Sequence, residues 1–133
     1  MERARSIQLF RHHIRHTVIV LKNRHVTTPL KIEVLENQSI ELNQTLPEIS
    51  QFLDDLQNYI RELFEEKKPN RHEHYTMLIA GLDNLYTILQ RFSGQETLKW
   101  RLNVFREFFM PRYDHMPRGQ EILFTLADYI ERV

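Results

Sequence analysis

The sequence predicts an all-α fold, a single-domain antiparallel helical bundle of four to six helices over residues 1–133. Three observations carry that prediction. Apolar residues recur at intervals of three and four through most of the chain, which gathers them on one side of a helix. Glycine is scarce, with only Gly81, Gly94 and Gly119. The five prolines, at 29, 47, 69, 111 and 117, fall between the periodic segments and act as breaks.

The first helix is expected from Arg3 to about Lys22, where Ile7, Phe10, Ile14, Val18 and Leu21 form one stripe. A second is expected from Thr45, whose capping-box spacing to Glu48 accompanies Pro47 in the first turn. Ile49, Leu53, Leu56, Ile60 and Leu63 continue it at 4-3-4-3 toward Pro69. Leu82, Leu85, Ile88, Leu89 and Phe92 mark a third, with Gly94 as the residue just past its end. Ser93 and Glu96 have capping-box spacing for a fourth, which carries Leu98, Leu102, Phe105, Phe108 and Phe109 up to Pro111. The last begins near Pro117 and carries Ile122, Leu123, Leu126, Tyr129 and Ile130.

Residues 26–44 are the exception. Leu30, Ile32 and Val34 alternate with charged residues, Asn37-Gln38 suits a turn, and Ile40 and Leu42 alternate beyond it, so a short hairpin or an irregular segment stays open. Leu35 and Leu42 extend the seven-residue spacing of 49, 56 and 63, which favours a helix. Pro47 would force a kink in a single rod from 35 to 68.

With 41% hydrophobic residues and 133 positions, the chain can bury about two-thirds of the surface it exposes when unfolded. It has no cysteine, which excludes disulfides, thiolate nucleophiles and Cys-based metal sites and suits a reducing compartment. Its longest aliphatic run, residues 18–21, falls far short of the ~20 residues of a membrane span. Arg11, His12, His13 and Arg15 interrupt any signal-like stretch. The expectation is a cytoplasmic protein with no membrane partner. No Gly-rich phosphate loop or dinucleotide fingerprint occurs, so no cofactor is expected.

The formal net charge is zero, from 18 Lys and Arg against 18 Asp and Glu, yet the charge is segregated. Residues 1–25 hold six Arg/Lys and four histidines against one Glu, while residues 33–66 hold nine Asp/Glu against Arg61 alone. Pairing of these two regions within the fold is expected, with exposure of each to a partner as the other outcome.

The stretch RHHIRH, residues 11–16, concentrates the candidate chemistry. His12 and His16 stand four apart on one helix face, and Arg11 and Arg15 four apart on the adjacent one. Two imidazoles at that spacing can share a metal ion, but no glutamate lies between them as a metalloprotease motif requires, so no metal is assigned. Arg11-His12-x-x-x-His16 resembles the R-polar-x-x-x-H motif of HEPN-domain RNases, helical bundles whose dimers pair two such motifs. That resemblance covers six residues, and in that family the motif lies late in the bundle rather than at its start. It implies His16 as acid/base and Arg11 as phosphate clamp. A nucleic-acid reading adds Arg3, Arg5, Arg15, Lys22 and Arg24 as a phosphate-tracking face. The plainer reading leaves the Arg/His side in water or against the acidic region.

Two other segments stand out. Residues 110–118, MPRYDHMPR, offer Arg112, Tyr113 and His115 as partner contacts, while the structural alternative has Met110 and Met116 cap the bundle and Asp114 act as N-cap of the last helix. Trp100, Phe105, Phe108 and Phe109 are expected in the core, and exposure of Trp100 or Phe109 would make the cluster an interface anchor. The 49–63 repeat is either a seam for another chain, as in a homodimer, or internal bundle packing. By elimination, the expected function is a small non-enzymatic protein–protein interaction or regulatory protein. It would present Arg11, His12, Arg15, His16, Arg112, Tyr113 and His115 to a protein partner. A nucleic-acid-associated helical protein, at its extreme a HEPN-like RNase, is the alternative.

Overall fold

The computed structural model describes residues 2–24, 28–37 and 46–133. Their regular structure is entirely helical: α1 (Glu2–Asn23), α2 (Leu30–Asn37), α3 (Pro47–Glu65), α4 (Arg71–Gln90), α5 (Gln95–Val104) and α6 (Pro117–Arg132). A π-turn over Phe105–Phe109 and a 3-10 turn over Met110–Tyr113 join α5 to α6. The helices pack against one another as a bundle around one apolar core.

α1 runs antiparallel to α4. Tyr75, early in α4, donates its hydroxyl to the Leu21 carbonyl near the end of α1 (2.6 Å), and Arg15 reaches Tyr86 further along α4. α3 and α6 are antiparallel too, with Arg118 at the start of α6 paired to Glu62 at the end of α3. α4 and α6 run side by side in the same direction. Their close approach depends on Gly81, where a Cβ would lie 2.5 Å from Leu123 Cδ1 and 3.2 Å from the Tyr113 hydroxyl.

The stripe of α1 and the repeat of α3 face inward as their spacing predicts. Ile7, Phe10, Ile14, Val18, Leu21 and Ile49, Leu53, Leu56, Ile60, Leu63 are all buried. The α3 repeat is thus covered by α6 and α2 of its own chain, not left as a seam for another. Residues 30–37 are helical, against the hairpin alternative, and Leu30 and Val34 lie fully buried one turn apart. Gln38, Ile40, Leu42 and Thr45, the rest of that alternative and the start of the capping box, lie outside the described residues.

Several boundaries differ from the sequence expectation. α3 starts with Leu46 as N-cap and Pro47 at its first position, with no side-chain cap. α4 begins at Arg71, well before Leu82, after a turn in which Lys67 and Asn70 adopt positive φ. Gly94 does not end α4; it is the extended residue that opens α5, so Ser93 is not the cap. Asp114 is exposed and Met116 occupies the N-cap position of α6, so Asp114 is not its N-cap.

The π-turn has a local cause. Pro111 has no N–H to donate back along the helix, and its ring crowds the preceding turn, which relaxes by widening. The Met110 N–H consequently bonds the Phe105 carbonyl, five residues back. A wider turn rotates less per residue. Met110 and Tyr113 therefore enter the core beside Phe105, while Phe108 turns outward.

Candidate functional site

α1 is buried on two sides, so its polar residues divide. Along the first stripe lie the apolar residues named above. A second buried line holds Leu9, His13, Thr17 and Val20. Thr17 satisfies its hydroxyl on the His13 carbonyl (2.6 Å), as helix-interior threonines do. His13 is 1% exposed, and neither ring nitrogen has a hydrogen-bond partner. Burial, then the charges of His16 and His12, lower its pKa to about 4. The nitrogen-rich stretch is therefore not wholly outside the fold, which corrects the sequence reading.

Arg11, His12, Arg15 and His16 line a single groove of about 410 Å³ between α1 and α4, closed on the far side by Tyr86 and Gln90 and floored by Ile19. It continues into an adjoining depression of about 360 Å³, where Lys22, Val18 and Asp83 join Arg15, Ile19 and Tyr86. Arg15 Nη1 lies 3.5 Å from the Tyr86 hydroxyl. Ile19, at 44% exposed, is an aliphatic residue left uncovered within a ring of cations. His16 has its pKa lowered by burial, then by His12 and Arg15, which favours a neutral imidazole able to accept a proton.

Pairing between the basic start and the acidic middle is only partial. Arg24 lies 3.8 Å from Glu33 of α2, its side chain withdrawn from solvent. Arg3 donates to the Glu131 carbonyl (2.6 Å). Arg11, Arg15 and Lys22 have no carboxylate within ion-pair distance among the described residues. Of the basic residues that the sequence suggested as one face, Arg3 and Arg24 are thus engaged with the Glu131 carbonyl and with Glu33. Among the described residues no group of three His, Cys, Asp or Glu side chains is placed to hold a metal ion, so His12 and His16 gain no third ligand.

Comparison with protein-family models, curated proteins and solved structures finds no match.

The other expected contact residues sit elsewhere. Tyr113 is buried and donates to the Met77 carbonyl (2.6 Å), and burial pushes its pKa up to about 12. It is a core residue, not a partner contact. His115 is exposed beside Glu73 (3.8 Å) and the His74 ring, near the start of α4. Arg112 is exposed with its guanidinium 5.6 Å from the Phe109 ring centre. Neither lines the α1–α4 groove.

The aromatic cluster also departs from the core expectation. Phe105 is buried, but Trp100 and Phe108 are 63% and 71% exposed, and Val104 lies between them at 36%. With Arg101, Arg112, Asn84 and Ile88 they line a groove of about 380 Å³ on the opposite flank of α4. Sequence reasoning missed Tyr86 and Ile19 at the first groove because single residues off a stripe carry no periodic signal. At the second groove it named an exposed Trp100 as the sign of an interface anchor but placed Phe108 in the core, because an α-helical count through Phe109 did not allow for the wider turn.

Proposed function

We propose that the protein is a non-enzymatic, regulatory interaction module whose α1–α4 groove takes an acidic segment of a protein partner. The observation that supports this reading is the set of three cations, Arg11, Arg15 and Lys22, without carboxylate partners around an uncovered Ile19. Solvent-accessible cations beside an uncovered aliphatic residue suit a peptide that brings both carboxylates and an apolar side chain. A polynucleotide suits it less well, because Asp83 lines the same groove and the chain has no net positive charge. Arg11 and His16 share the groove, so the RNase alternative is tested alongside.

The experiment is affinity capture from the native cell with the unaltered chain and with Arg11→Glu plus Arg15→Glu. The expected result is a stoichiometric protein that cross-links to α1 or α4 and is reduced about tenfold or more by the double substitution, as the loss of two charge contacts implies. Recovery of nucleic acid alone, or RNA cleavage that His16→Ala abolishes, overturns the proposal.

A further inference from the structure

Five exposed residues recur at intervals of four along α5 and the turns that follow it: Glu96, Trp100, Val104, Phe108 and Arg112. Trp100, Val104, Phe108 and Arg112 line one groove, so the π-turn preserves the line instead of scattering it. Read in order, the line is acid, aromatic, aliphatic, aromatic, base. Read backwards, it is its own complement. Among the described residues neither Glu96 nor Arg112 forms an ion pair, and nothing covers the aromatic rings between them.

We infer that a second copy of this chain packs antiparallel on this line, with a two-fold axis beside Val104. The axis sets Trp100 against the partner's Phe108 and Glu96 against the partner's Arg112, each twice by symmetry. A partner of one charge sign would satisfy one end of the line and repel the other. A reversed copy satisfies both ends. Exposed aromatics at the centre with ion pairs at the rim is the usual anatomy of a specific interface. The line spans about 24 Å at the helical rise, a short contact that implies dissociation in the micromolar range.

Trp100 is the sole tryptophan, so its emission reports directly on the contact. Sedimentation and Trp100 fluorescence across about 1–300 µM test the inference. The expected result is a monomer–dimer equilibrium with Trp100 emission moving to the blue as the dimer fills. Phe108→Glu abolishes dimerisation. Glu96→Arg alone and Arg112→Glu alone each weaken it about tenfold by opposing like charges, and the two together restore it to within about threefold. All three substituted positions are exposed, and circular dichroism checks that each variant is folded. A chain that stays monomeric throughout overturns the inference. So does a dimer indifferent to Phe108→Glu, or a double exchange no tighter than the single ones. None of these readouts involves Arg11 or Arg15, so the result stands apart from that of the α1–α4 groove.

Discussion

At the scale of one residue, His13 decides how the fold responds to acid. Its folded pKa of about 4 lies below its ordinary value of 6.5, because the buried ring has no partner for a second proton and sits near His16 and His12. The unfolded chain therefore binds the proton first. Stability from keeping His13 neutral is complete above pH 6.5 and is lost as the pH falls from 6.5 to about 4, at a cost on the order of 3 kcal/mol. His13→Leu removes the titration and leaves no unpaired nitrogen. The variant should match or exceed the parent in thermal stability at neutral pH and lose markedly less on acidification to pH 4.5. An unchanged acid dependence would show that the ring is not held neutral. The sequence did not disclose this residue, because Leu9, His13, Thr17 and Val20 make a buried line whose middle members count as polar in any apolar pattern.

At the scale of elements, the long amphipathic helices were legible and the short or locally determined pieces were not. α3 and α6 could be read from their stripes and from Pro47 and Pro117 because burial and chain breaks coincide there. The first turns of α4 could not, since His72, Glu73 and His74 offer no stripe, and the caps come from backbone and neighbouring helices instead of Ser or Thr side chains. α2 shows what replaces them. Eight residues cannot hold a helix in isolation. Its buried Leu30 N–H donates to the Gln57 side-chain oxygen of α3, Glu33 approaches Arg24, and Lys31 meets Asp54 at 3.3 Å. Of these, the Gln57 contact matters most, because it satisfies a donor that water does not reach. Gln57→Leu strands that N–H and should cost about 1–3 kcal/mol in denaturant unfolding. Faster amide exchange should be confined first to α2. Loss of stability without any change in α2 exchange would mean that Gln57 acts through packing alone.

At the scale of the whole molecule, the zero net charge conceals an uneven settlement. Arg106 is held by Asp128 and Glu131 at 2.8 Å each, and Arg118 by Glu62, so α6 is ion-paired to the π-turn and to α3. The segregation of charge was legible in the sequence, but its outcome was not, because pairing depends on which residues helix packing brings within reach. Arg11, Arg15 and Lys22 were left over, crowding one groove with like charge. Such an arrangement contributes nothing to folding, which separates stability from binding at these positions. Arg15→Glu should therefore leave unfolding unchanged or raise stability by a few tenths of a kcal/mol, the scale of surface charge effects. The same change should weaken capture of an acidic partner, and in the unaltered chain that capture should fade with added salt. It should also raise the pKa of His16, since a neighbouring cation that now lowers it becomes an anion. Proton NMR titration of the imidazole reads that shift. An unmoved His16, or a clear loss of stability, would assign Arg15 to the architecture through its contact with Tyr86, and the groove would lose its claim to be a surface kept open for a partner.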